Sequence, residues 1–113
     1  MKDKRQRTYS LINKKALRLL ADLIRISRLQ QGFTLAEVAE RAGISVSSLK
    51  RIEGADAKCE IGMVFEVATI LRVPLFVPEG GSLTRHIQQA EEKLALLPKT
   101  APKRKVDGVK DDF

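Results

Sequence analysis

The sequence has no tryptophan, one cysteine and one histidine among its 113 residues. A single cysteine cannot form an internal disulfide, and Cys59 with His86 is too small a ligand set for a structural zinc site. We therefore expect no metal and no cofactor, and Cys59 fits the role of a small apolar filler. One histidine also gives no support to a Ser-His-Asp or Cys-His catalytic set. The sequence thus predicts a protein that is not an enzyme.

Long apolar runs are missing as well. No segment approaches the roughly 18 apolar residues of a membrane span, and the charged start MKDKRQRTYS has no apolar stretch behind it of the kind found in a secretory leader. These patterns predict a cytoplasmic, nucleoid-associated bacterial protein with no membrane partner. Gly80 and Gly81 indicate a turn or hinge and no phosphate-binding loop, and no small-molecule ligand is evident.

Positive charge is plentiful and lies toward the two ends of the chain. The formal charge is +7; residues 1–31 carry nine Lys or Arg against two Asp, and residues 98–113 carry five against three. A basic excess points to nucleic acid before membrane, with simple solubility as the alternative. We expect a flexible basic arm at 1–9 and a basic disordered tail at 98–113, whose 102–105 segment is either a phosphate-binding arm or a soluble end.

Apolar spacing predicts an all-α chain. One strong helical pattern runs from Leu11 to Gln30, with its inner stripe at Leu17, Leu20, Ile24 and Leu29. Further helices are predicted for 34–42, 45–53 and 62–71, which places a domain at 10–77. Val73 to Val77 is an extended apolar segment interrupted by proline.

The segment 34–53 is the most informative part of the sequence. Thr34 with Glu37 forms a capping box, Gly43 ends the first short helix, and Ser45 caps the second. Apolar anchors in the second helix leave short polar and cationic side chains outward, which is the pattern of a recognition helix that reaches base edges in the major groove. An ordinary αα-hairpin in a helical bundle is the alternative for each piece taken alone.

Residues 19–72 resemble the lambda-repressor-like Xre/Cro helix-turn-helix class, through the run RLQQGFTLAEVAERAGIS and the close LKRIE. The resemblance implies a bundle of four to five helices that binds a palindromic operator in double-stranded DNA as a homodimer. The base-reading residues that it implies are Thr34, Ser45, Val46, Ser47 and Arg51, flanked by Ser48 and Lys50. The phosphate contacts that it implies are Arg25, Arg28 and Lys58.

Residues 51–73 and the C-terminal VDGVKDDF are similar to the HipB-like antitoxins encoded beside HipA-type kinases. That narrower resemblance implies a repressor of its own toxin–antitoxin operon with a Ser/Thr kinase toxin as partner. The alternatives are a stand-alone or phage-type repressor without a toxin partner, and a protein-interaction adaptor that does not bind DNA.

A last helix is predicted for 82–97, with apolar residues spaced 4-3-4-3 in the manner of a heptad stripe. Two heptads are too short to stand alone, so the stripe packs on the protein's own core, on the dimer mate or on a partner. The residues expected at a dimer or partner contact are Leu75, Phe76, Val77, Leu83, Ile87 and Leu94.

Overall fold

The computed structural model describes residues 8–76 and 82–102. Within those ranges the chain forms five α-helices and no strand, which confirms the all-α prediction. The helices are α1 (Leu11–Gln30), α2 (Leu35–Ala42), α3 (Val46–Glu53), α4 (Ile61–Leu71) and α5 (Leu83–Ala95). The expectations for most of the basic arm, for Val77, for the 80–81 hinge and for most of the tail fall outside the described residues.

The predicted capping of α2 and α3 is present. The Thr34 hydroxyl accepts a hydrogen bond from the Glu37 backbone N–H at 3.0 Å, while the Glu37 carboxylate accepts one from the Thr34 N–H at 2.8 Å. Gly43 ends α2 in the left-handed conformation with φ +70°. Glycine adopts this conformation without the Cβ clash that other residues meet, so the tight turn into α3 depends on it.

A small aliphatic core holds α1 to α4 together. Its fully buried side chains are Ile24, Val38, Leu49, Val67 and Leu71. α1 contacts α3 and α4, and α2 contacts the same two helices. Each helix therefore contributes one apolar face to a shared interior, as expected for a short-helix bundle.

The inner line of α1 differs from the predicted one. Ala21, Ile24 and Arg28 are buried, whereas Leu29 is exposed. The spacing of three and then four residues keeps the buried set on one side of the helix, and Leu29 lies one residue, about 100°, beyond Arg28. The prediction of Leu29 as an inward residue was wrong because an arginine occupies the last inward position.

α4 begins at Ile61, one residue before the predicted start, and is tied to α1 at its other end. The Leu71 carbonyl oxygen accepts hydrogen bonds from the Ser27 hydroxyl and from the Gln31 side-chain amide, both at 2.8 Å. Carbonyls in the last turn of a helix have no partner within that helix. Ser27 of α1 and Gln31, the C-cap residue that follows α1, thus supply the missing donors.

The chain divides into two compact units after Phe76. In the second unit, the Ser82 hydroxyl caps α5 by accepting from the Arg85 N–H at 3.2 Å. α5 ends at Ala95, two residues before the predicted Leu97, and none of its side chains is buried.

Candidate nucleic-acid interface

α3 presents one apolar side and one polar side. Leu49 and Ile52 are buried in the core, and they fix the rotation of the helix about its axis. The opposite side is exposed and carries Val46, Ser47, Lys50 and Arg51. A short helix anchored in this way can enter a major groove without uncovering the core.

The start of α3 is held by serine side chains. The Ser45 hydroxyl accepts from the Ser48 backbone N–H at 3.0 Å and also donates to the Ser48 hydroxyl at 3.0 Å. Thr34 uses its hydroxyl in the same capping role at the start of α2. Thr34 and Ser45 were expected to read bases. In the structure the hydroxyls of both residues cap helices, and both residues are exposed.

Arg28 lies in a buried ion pair and was expected at a phosphate. Its Nε donates to Glu53 Oε2 at 2.6 Å, its Nη2 to Glu53 Oε1 at 3.1 Å and its Nη1 to the Phe33 carbonyl at 3.0 Å. The hydrogen bonds to Glu53 raise the pKa of Arg28 further above its ordinary value. Since only 7 % of Arg28 is exposed, most of its side chain is taken up by this ion pair, and the phosphate contact expected from the sequence stays a prediction.

This ion pair joins three parts of the first unit. Arg28 is in the last turn of α1, Glu53 is the last residue of α3, and Phe33 lies between α1 and α2. The pair therefore fixes the end of α3 on α1. Sequence reasoning missed it, although Arg28 follows Ala21 and Ile24 at seven and four residues, a spacing that indicates a residue on the buried face.

Arg25 and Lys50 come together at the edge of this pair. Both line an open cleft of about 250 Å³, whose other lining residues are Arg28, Leu35, Glu53 and Gly54. The side chains of Arg25 and Lys50 are exposed, so two cations from two different helices border the same depression. A phosphate oxygen can accept hydrogen bonds from both side chains there.

Lys58 lies elsewhere, in the loop between α3 and α4. Its side chain is exposed, and its backbone N–H donates to the Asp56 carboxylate at 2.8 Å. The residues lining the cleft of Arg25 and Lys50 do not include it.

Cys59 is half-buried beside Asp56 and Val64. Burial, with a smaller effect of the Asp56 carboxylate, raises the pKa of its thiol. A protonated thiol is a poor nucleophile.

The residues that the structure describes contain no cluster of three or more His, Cys, Asp or Glu side chains suited to a metal ion. None of their helices combines the length and apolarity that crossing a bilayer requires.

The residues expected at a dimer or partner contact are largely on the surface. Leu75 is half-buried, and the exposed Phe76 ring stacks on Phe65 with 6.1 Å between ring centroids. In α5, Leu83, Ile87 and Leu94 are all exposed.

Comparison with known proteins places this architecture in a family. The model of a helix-turn-helix domain family matches residues 19–75. Among solved structures, one titled "MDT Protein" is 21 % identical over 66 % of this chain and 97 % of its own, with a TM-score of 0.50. A variant of HipB in complex with an O2 20-mer is 22 % identical over 67 % and 97 %, also with a TM-score of 0.50. At these identities the likeness concerns the fold. No curated protein matches the chain.

Proposed function

Since this chain belongs to the helix-turn-helix domain family, we propose that it is a DNA-binding regulator and acts as a sequence-specific transcriptional repressor. It acts as a homodimer on a palindromic operator in double-stranded DNA. The observation that carries the proposal is the exposed polar side of α3, held over a core that buries Leu49 and Ile52.

The outward residues of α3 have the chemistry of base reading. Arg51 can donate two hydrogen bonds to a guanine edge, the Ser47 hydroxyl suits several bases, and Val46 can contact a thymine methyl group. Arg25 and Lys50 border the neighbouring cleft, where they suit a phosphate and set the position of α3 on the duplex. Two copies related by a two-fold axis read half-sites about one helical turn apart.

Arg28 and Glu53 act on this interface as positioning residues. Their ion pair holds the C-terminal end of α3, while Leu49 and Ile52 hold its apolar side. A recognition helix that is already fixed loses little further freedom on binding, so more of the contact energy is retained in the complex.

The proposal includes a HipA-type Ser/Thr kinase toxin as protein partner and repression of the operon that encodes both. The support is the similarity of residues 51–73 to HipB-like antitoxins, together with a fold similar to that of the HipB complex. We expect a kinase gene next to the gene of this chain. We also expect that kinase to co-purify with a tagged form of this protein. With no kinase beside the gene, the stand-alone repressor replaces the antitoxin.

DNA binding is tested by selecting bound duplexes from a random pool, where we expect enrichment of a two-fold symmetric site. Arg51→Ala and Arg25→Ala are then compared on that operator and on a scrambled duplex. Arg51→Ala should lose about 1–3 kcal/mol of preference for the operator because a guanine contact is removed. Arg25→Ala should weaken binding to both duplexes alike. It should also reduce the slope of log affinity against log salt concentration by about one, as the loss of a phosphate contact does.

Two results would contradict this proposal in different ways. If Arg51→Ala keeps the full operator preference, the outward side of α3 does not read bases in the assigned register. If the unmodified protein binds no duplex in a salt-dependent manner, the repressor proposal fails and the adaptor remains.

A further inference from the structure

α1 carries a second apolar stripe on the side away from the core. We call it the outer stripe of α1; it consists of Ile12, Ala16, Leu19, Leu23 and Ile26. Its spacing is 4-3-4-3, the repeat of a helix that packs along a partner helix. The four large members are between 44 % and 76 % exposed. An apolar stripe of this length on the surface indicates an interaction site.

α5 carries a stripe of the same spacing. We call it the α5 stripe; it consists of Leu83, Ile87, Ala90 and Leu94, continued by Leu97 just past the helix end. Its large members are between 54 % and 65 % exposed. The outer stripe of α1 covers two heptads, about 21 Å at the rise of an α-helix, and the helical part of the α5 stripe, from Leu83 to Leu94, covers about 17 Å. Each stripe is thus an exposed apolar surface of its own unit, and the two stripes match in spacing.

We propose that the α5 stripe of one copy packs on the outer stripe of α1 of a second copy, and that the two-fold repeat of this contact forms the dimer. The inference rests on the proposed homodimer and says which surfaces build it. A short helix with no buried side chain of its own gains its stability from such a contact. The two-fold axis supplies the contact twice, which brings the buried area toward that of a stable interface.

The side chains favour a parallel alignment with Ile12 opposite Leu83. Large residues then meet small ones in the middle layers, with Ala16 opposite Ile87 and Leu19 opposite Ala90. This alternation fills the layers without overpacking.

Charge at the edges of the stripes favours the same alignment. In a parallel pair, the residue before one stripe position lies near the residue after the next position of the partner helix. Lys15 then lies near Glu91, an opposite charge. An antiparallel alignment would bring Lys15 near Lys93 instead. The exposed charges of α1 are mostly basic, and Glu91 borders the α5 stripe directly after Ala90.

The test uses single-cysteine variants of the full chain in a Cys59→Ala background. One variant carries Leu19→Cys and the other carries Ala90→Cys; they are mixed and treated with a short bismaleimide cross-linker. We expect a covalent dimer that contains one copy of each variant, identified by its mass and by the cross-linked peptide. Each variant alone serves as a control and should remain monomeric on a denaturing gel.

The alternative packings give different products. A covalent dimer from the Leu19→Cys variant alone indicates α1 against α1, and one from the Ala90→Cys variant alone indicates α5 against α5; either result overturns the inference. A chain with both cysteines that is cross-linked only within itself shows that α5 covers α1 of its own chain, which also overturns it.

Sedimentation of substituted proteins separates this inference from the proposed function. Leu19→Glu should raise the dimer dissociation constant at least about 100-fold because each dimer loses the burial of two leucines. Ile61→Glu is the matched control, since Ile61 is equally apolar and 73 % exposed but lies on α4; it should leave the constant unchanged. If the unmodified protein is dimeric and Leu19→Glu has no effect, the inference fails while the homodimer stands. If the unmodified protein is monomeric with and without operator DNA, both fail.

Discussion

Each of the two units contains a helix with regularly spaced apolar residues, but only the first unit buries such residues. In the first unit, α1 places Ala21 and Ile24 in the interior, where α3 and α4 cover them. In the second unit, α5 repeats its apolar residues as regularly and buries none of them. Periodicity defines which face of a helix is apolar, whereas burial depends on whether another element covers that face.

α1 shows the same contrast within one helix. Its inner side is buried to the last turn, while its outer stripe is exposed along two heptads. An amphipathic pattern that is apolar on more than one side is typical of a helix with two partners. The core of the first unit provides one of them, and the inferred second copy provides the other.

The largest expected difference is between Leu49 in α3 and Leu94 in α5. Leu49 is fully buried, so Leu49→Ala removes packed methyl groups and leaves a cavity, lowering the free energy of unfolding by about 3 kcal/mol. Leu94 is 65 % exposed, and Leu94→Ala should change the free energy of unfolding of the first unit by less than about 0.5 kcal/mol.

Urea unfolding in dilute protein, below the dimer dissociation constant, measures both changes. Under that condition the stabilisation that any partner copy provides through mass action is absent. Equal losses for the two variants would show that α5 belongs to the core of the first unit, and the contrast between the units would disappear.

Arg28 extends the comparison from apolar to charged residues. Arg28→Ala leaves the Glu53 carboxylate buried without its partner, which should lower the free energy of unfolding by about 3 kcal/mol. Arg85 in α5 is exposed, and Arg85→Ala should change it by less than about 0.5 kcal/mol.

A double variant sharpens the result at the ion pair. Arg28→Ala with Glu53→Ala removes both charges, so its loss should be smaller than the sum of the two single losses. If Arg28→Ala instead keeps the stability of the unmodified protein and weakens binding to every DNA sequence alike, Arg28 is a phosphate contact after all.

Much of the fold was predictable because its signals are local. The capping box at Thr34, the left-handed Gly43 and the cap at Ser45 each act within four residues. The predicted segments 34–42 and 45–53 match α2 and α3 with their N-cap residues included. The all-α class and the helix-turn-helix pair follow from those signals together. The base-reading assignments remain predictions, although the structure exposes most of the residues concerned.

What escaped prediction involves partners distant in sequence. The Arg28–Glu53 pair spans 25 residues, and the bond from Ser27 to the Leu71 carbonyl spans 44. Composition alone does not distinguish an arginine that forms a buried ion pair from one that contacts a phosphate. Only the position of Arg28 on the inward face of α1 carried that information.

The smallest expected effect concerns the ends of α3 and α5. The sequence places Gly54 at the end of α3, but Gly54 has φ −93°, and the next residue, Ala55, takes the left-handed conformation with φ +62°. Ala55→Gly relieves the clash of its Cβ, and the greater freedom of glycine in the unfolded chain offsets part of the gain. We expect the free energy of unfolding to rise by about 0.5 kcal/mol, measured by urea unfolding.

α5 offers the control, because its cap Leu96 has φ −92° and no such strain. Leu96→Gly should bring no gain in the helix content of α5, measured by circular dichroism. A loss of stability on Ala55→Gly would show that the left-handed alanine is not strained, and that its methyl group contributes to packing near Ile52 and Cys59, which line the same small cavity.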